Sequence, residues 1–199
     1  MKRNIYIISM LLLADFSMSS CNIKTSESSK MSDSDRKEAI EDTLGRGELG
    51  LFDLRGPVER CTWTDRNEVV TDYTFNEKGF LITINGKKLD DVFPIIKRDE
   101  EGRIVYGGTE NETLFTCEYN GEGLVTKVIS TNFYTNILYN AHGNIIAEQR
   151  HEQTIGGGGR ILEEEISLNF TPLQEDEYGN WAQRATGGHG LENRTITYY

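Results

Sequence analysis

The chain has 199 residues, 37% of them hydrophobic, and carries 32 acidic against 21 basic side chains, for a formal net charge of −11. That length suits one domain of ordinary size. The charge repels phosphate backbones and anionic membrane surfaces, which argues against a nucleic-acid partner and against electrostatic attachment to a membrane.

Residues 1–20 do not read as part of that domain. Lys2 and Arg3 form a short basic start, and Ile5 to Ala14 is an almost unbroken apolar run. Such a run is too short to cross a bilayer as a helix but suits the apolar region of a signal peptide. Ser17, Ser19 and Ser20 then lead to Cys21. Met18-Ser19-Ser20-Cys21 resembles the lipobox of bacterial lipoproteins, which implies cleavage before Cys21 and lipidation of its thiol; ordinary signal cleavage nearby is the alternative. Without its first twenty residues the chain carries about −12. Membrane attachment would then rest on the acyl chains alone.

Residues 21–48 are rich in Ser, Lys, Asp and Glu and read as a polar tether that buries too little to fold by itself. Within it, Asp35 to Leu44 suits a short helix, with Ser34 or Asp35 as N-cap and Gly45 as stop. Asp42-Thr43-Leu44 resembles an O-glycosylation signal of some Gram-negative gut bacteria, a three-residue match that chance supplies often.

From residue 49 the pattern changes to alternating apolar and β-branched residues, with no competing helical period. Leu49, Leu51, Phe52 and Leu54 lead through Gly56-Pro57 to a first strand, Val58 to Trp63, whose partner is Val69 to Phe75 across Thr64-Asp65-Arg66-Asn67. Five Asn/Asp-x-x-Gly segments follow: Asn76 to Gly79, Asp99 to Gly102, Asn120 to Gly123, Asn140 to Gly143 and Asp176 to Gly179. The first four glycines are 23, 21 and 20 residues apart; the fifth comes after 36, past a glycine-rich insertion at Gly156 to Gly159. An Asn or Asp opens a type I turn by accepting a backbone hydrogen bond, and Gly completes it in the left-handed conformation. Six residues before each Gly stand Tyr73, Ile96, Cys117, Ile137 and Leu173; two after it stand Leu81, Ile104, Val125, Ile145 and Trp181. All ten are apolar and share one face in this register. Four before Gly, Phe75, Tyr119 and Tyr139 fit the repeat, whereas Arg98 and Glu175 depart from it. The expected fold is all-β: an antiparallel β-meander of repeated hairpins in a twisted sheet that stays open, curls or closes like a barrel.

Tyr73-x-Phe75-Asn76-x-x-Gly79, Cys117-x-Tyr119-Asn120-x-x-Gly123 and Leu138-Tyr139-Asn140-x-x-Gly143-Asn144 resemble YD repeats, the units of RHS-type proteins. Glu175-Asp176-Glu177-Tyr178-Gly179-Asn180-Trp181, the ending Ile196-Thr197-Tyr198-Tyr199 and the opening Leu54-x-Gly56-Pro57-Val58 are similar to small YD-repeat lipoproteins of Gram-negative gut bacteria. The resemblance covers residues 51 to 199 and implies the fold; that family mostly lacks assigned activity.

No catalytic residues, metal ligands or cofactor site emerge. His142 falls in a turn, His151 lies beside Glu152, and His189 stands between Gly188 and Gly190, without metal-ligand spacing. The Gly156 to Gly159 run lacks the Lys and Ser/Thr of a phosphate loop. Asp90-Asp91, Glu100-Glu101 and Glu163-Glu164-Glu165 are adjacent acids, and neighbours on a strand point to opposite faces. Cys61 and Cys117 read as buried thiols, although export permits a disulfide between them. The aromatics Tyr106, Phe133, Tyr134, Tyr178, Trp181, Tyr198 and Tyr199 exceed what the repeat needs. From these, Tyr178, Trp181, Tyr134 and Tyr106 are the candidate binding residues, with Tyr178 the best exposed because it sits inside a turn.

These observations lead to a non-catalytic exported lipoprotein of the outer membrane, facing the periplasm or the surface. It would act as a binding or scaffold module for a protein or glycan partner. A hydrolase of envelope or other polysaccharides using surface carboxylates, and an assembly component pairing through an open sheet edge, are the alternatives.

Overall fold

The computed structural model describes residues 47–155 and 161–199. The expected signal segment, Cys21, the tether up to residue 46 with its short helix, and the Gly156 to Gly159 run lie outside the described residues. The folded part begins earlier than the expected residue 49, because the Glu48 side chain is fully buried.

A single 3-10 turn, Leu49–Phe52, precedes thirteen described strands. They are β1 (Val58–Thr64), β2 (Val70–Phe75), β3 (Leu81–Ile84), β4 (Lys87–Lys88), β5 (Ile95–Arg98), β6 (Ile104–Gly108), β7 (Thr113–Tyr119), β8 (Val125–Ser130), β9 (Phe133–Tyr139), β10 (Ile145–Ile155), β11 (Ile161–Glu175), β12 (Trp181–Thr186) and β13 (Leu191–Tyr198). One short helix, α1 (Leu89–Val92), lies between β4 and β5. All thirteen strands form one antiparallel sheet in the order β4-β3-β2-β1-β13-β12-β11-β10-β9-β8-β7-β6-β5.

The two edge strands are thus consecutive in the chain. Lys88 and Ile95 are separated by a linker that reaches at most about 24 Å, so the sheet has to roll until its first and last strands adjoin. The Arg98 guanidinium of β5 lies 5.5 Å from the ring centroid of Phe80, beside β3. No backbone pairing joins β4 to β5, so the sheet is an open roll and not a closed barrel. Both edges are blunted: β4 is Lys87-Lys88 alone, and β5 follows Pro94 and ends in Lys97-Arg98. Short, basic, proline-led edges resist strand addition.

The five repeat turns have the expected geometry. In each, the Gly N–H donates to the Asn or Asp carbonyl, and the Asn or Asp N–H donates to the carbonyl four residues on. The Asx side chain accepts the N–H four residues on in every case. The five glycines have φ between 74° and 82°, a conformation that penalises any residue with a Cβ. The same pattern recurs at Asp65-Arg66-Asn67-Glu68, where Glu68 takes the left-handed position at φ 62°. With no Gly to mark it, that turn is invisible to the Asn/Asp-x-x-Gly motif.

Nine of the ten repeat apolar positions are buried or half-buried on the inner face. Leu173 is the exception at 51% exposure. Register shifts around it in the β11–β12 pairing leave it without a partner and turn it outward. Cys61 and Cys117 are free, buried thiols in this core, Cys117 at its repeat position. The two tyrosines at the repeat position four before Gly stitch hairpin to hairpin: Tyr119 Oη donates to Ile104 O at 2.8 Å, and Tyr139 Oη to Val125 O at 2.7 Å.

The lead-in segment, residues 47–57, runs beneath these turns and packs into the roll. Glu48 accepts from the Leu81 N–H at 2.6 Å and pairs with Arg98. Asp53 accepts from the Ile145 N–H at 3.3 Å and from Trp181 Nε1 at 3.0 Å. Arg55 and Asn180 exchange two hydrogen bonds, at 2.7 and 2.9 Å. Leu81 and Ile145 belong to the hairpins preceding the two degenerate repeats, those with Arg98 and Glu175. The lead-in acids therefore dock where the tyrosine stitch is missing.

Candidate functional site

Strand register brings an unannounced row of side chains together on the outer face. Cross-strand partners in an antiparallel sheet point to the same side. Lys97 opposes Tyr106, Tyr106 opposes Thr116, and Thr116 opposes Ile129. Ile129 opposes Tyr134, Tyr134 opposes His151, and His151 opposes Glu165. This is one continuous rung from β5 to β11, about 29 Å long at ordinary strand spacing. Inner-face residues alternate with it: Phe115, Val128 and Thr135 are buried, whereas Thr116, Ile129 and Tyr134 are half-buried.

Of the four expected binding aromatics, Tyr106 and Tyr134 lie on this rung. Lys97 Nζ sits 5.0 Å from the Tyr106 ring centroid. Tyr134 is stacked on His151 with centroids 4.5 Å apart and planes 17° from parallel, while Lys127 Nζ lies 4.4 Å from its centroid. Lys127 and His151 come from the strands on either side of β9, so the Tyr134 ring is engaged by neighbours from both adjacent strands. Beside it, Phe133, Glu152, Gln153 and Glu163 line a surface hollow.

Tyr178 and Trp181 are corrections to the expected surface. Tyr178 is 7% exposed because the lead-in segment passes under its turn. Gly56 lies so close that a Cβ there would come within 2.6 Å of the ring, and the Tyr198 ring covers it at 4.5 Å. Trp181 is 3% exposed and belongs to the core, edge-on to Trp63 with centroids 5.4 Å apart.

The inner face also holds charges that strand alternation alone does not reveal. Arg194 lies 3.6 Å from the Trp181 ring centroid and donates to Phe52 O at 2.6 Å and Asp53 O at 3.1 Å. Burial pushes its guanidinium down to about 10. Arg184 pairs with Glu192 at 2.7 Å and stacks 3.8 Å from the Phe170 centroid. Glu148 faces the same interior. Burial pushes its carboxyl up to about 7, Glu192 adds to the shift, and Arg184, Arg66 and Arg150 oppose it. Arg194, on β13, clasps the lead-in backbone and so latches residues 52–53 to the sheet.

The carboxylates of β11 are divided between faces. Glu163 and Glu165 oppose Gln153 and His151 on the outer side, and Glu164 opposes Glu152 on the inner side. Among the described residues, no three His, Cys, Asp or Glu side chains gather to hold a metal ion, and no helix is long and apolar enough to cross a membrane. His142 and His189 are exposed in turns at opposite ends of the roll. The chain matches no protein-family model, and no curated protein matches it.

Proposed function

We propose that this chain is a non-catalytic, exported lipoprotein of the YD-repeat kind, anchored through Cys21, whose rolled sheet presents its outer face to a protein partner at the cell envelope. The observation that carries the reading is the seven-strand rung from Lys97 to Glu165. It sets two tyrosines, an isoleucine and a histidine in line on a face that the core does not require. A protein partner is favoured over a glycan because sugar recognition needs a bare ring face, and the Tyr134 ring is already stacked on His151 with Lys127 against it. The free edges of the rings, with Thr116, Asn136 and Gln149 around them, suit the mixed polar and aromatic contacts of a protein interface.

Site-directed photocrosslinking in the native envelope tests this. Crosslinkers at Thr116 and Ile129 should trap one discrete protein adduct. Thr62 and Thr195, paired outward on β1 and β13, should not. Uniform crosslinking from all four positions, or glycan binding without any protein adduct, would defeat the reading. Anchoring is tested separately: Cys21→Ala should abolish incorporation of labelled palmitate and release the chain from the membrane fraction.

A further inference from the structure

The longest open backbone edge among the described strands belongs to β11, not to the terminal strands of the sheet. On one side β11 pairs with β10 along its length, from Ile161 opposite Ile155 to Asn169 opposite Ala147. On the other side its pairing with β12 begins only at Phe170. No described strand covers residues 161–168 on that side, a stretch of about 26 Å of extended chain. The contrast with β4 and β5 is telling. Those edges are two and four residues long, are basic, and face each other across the roll.

We infer that this edge of β11 is a docking site for an extended basic peptide segment of another protein, which adds to the sheet as a further antiparallel or parallel strand. Backbone groups along an open edge supply the hydrogen bonds of strand addition, and alternate side chains supply specificity. Here the alternation is explicit. Glu163 and Glu165 stand on the outer face, while Leu162 and Ile166 stand on the inner face with Glu164 between them. Leu162 is 54% exposed. An incoming strand would match this edge by placing Lys or Arg on the outer side and apolar residues on the inner side. A second copy of β11 would bring the same three carboxylates against these and be repelled. The basic β5 edge of a second copy is already flanked, since Phe80 lies against Arg98 and Gly102. The edge shares Glu165 with the outer-face rung, but the proposal concerns backbone on β11, so protection of its amides separates it from binding at the rung.

The test uses the full chain and synthetic eight-residue peptides of alternating Lys-Val, with alternating Glu-Val as control. Binding is followed by fluorescence anisotropy and amide hydrogen exchange. The Lys-Val peptide should bind, and amides within residues 162–168 should gain protection at alternate positions. The double variant Glu163→Lys, Glu165→Lys, whose sites are exposed, should weaken Lys-Val by about tenfold or more and improve Glu-Val. Binding without amide protection on β11 would mean charge attraction only and overturn the proposal. So would the absence of binding, or protection of 162–168 that appears with protein concentration in the absence of peptide.

Discussion

Glu48, from the lead-in segment, is ion-paired to Arg98 on the edge strand β5 while its other carboxylate oxygen accepts the Leu81 N–H of β3. One fully buried side chain thereby ties the two ends of the rolled sheet together where the backbone does not. Burial pushes this carboxyl up, and the hydrogen bond from Leu81 and the charge of Arg98 pull it down.

Glu48→Ala should therefore destabilise the fold by about 3 kcal/mol, because a buried pair loses one member and the Leu81 amide loses its acceptor. Arg98→Ala should cost less, since the arginine is 32% exposed and Glu48 keeps its backbone donor. Urea unfolding of both variants measures the order; equal losses would mean that the pair is not what closes the roll.

The repeat turns make a sharp internal comparison. Gly123→Ala should cost about 1 kcal/mol, because Gly123 has φ 81°. Gly121→Ala, two residues earlier in the same turn, should be close to neutral because a Cβ there meets nothing within 4 Å. Thermal unfolding of the two single variants distinguishes conformational strain from a general intolerance of change in this loop.

Removing the hydroxyl stitches should weaken neighbouring hairpins one at a time. Tyr119→Phe and Tyr139→Phe each delete one hydrogen bond, to Ile104 O and Val125 O respectively. A loss of about 0.5–1.5 kcal/mol is expected from each, with faster amide exchange in β6 and β8.

Glu148 gives the fold a pH dependence of defined sign. Its carboxyl titrates at about 7 when folded, against an ordinary value of 4.5. The folded state thus holds this proton more tightly than the unfolded chain. The stability it contributes is fully present below 4.5 and is lost as the pH rises through about 7. Glu148→Gln is neutral throughout, so its unfolding free energy relative to the parent should rise across that window, by on the order of 3 kcal/mol. A pH-independent difference would show that Glu148 stays charged.

Both core thiols should be silent in the native state. Cys61 and Cys117 are 1% and 6% exposed, and burial pushes them up to about 11 and about 12. A disulfide-exchange reagent should leave both unmodified in the folded chain and modify both in urea. Rapid labelling of either without denaturant would indicate local opening of the sheet.

The hairpin repeat was legible because its determinants are local. Asn120 and Gly123 define a turn within four residues, and Cys117 and Val125 then fall on one face by strand alternation alone. The turn at Asp65 was expected as the link between the first two strands, but its kinship with the repeat turns escaped because Glu68 adopts the left-handed conformation without the glycine that advertises it. Leu173 fitted the repeat and yet points to solvent, since a bulge is a property of the pairing between two strands and not of either alone. Tyr178 reads as a surface residue until residues 47–57 are placed beneath it, whereas Trp181 reads both as a repeat core position and as a binding candidate, and packing on Trp63 decides for the core.

Local chemistry in the sequence thus determined the strands, the five turns and most of the inner-face apolar register, while leaving open whether Cys61 and Cys117 pair. Only tertiary structure decided that the sheet rolls without closing, that Glu48 and Asp53 are core residues, and that Tyr106, Ile129, Tyr134 and His151 share one rung. The physical reason is range. A turn's energy depends on dihedrals and hydrogen bonds within about five residues, whereas burial of a charge such as Glu48 depends on Arg98 fifty residues away, which no local pattern records.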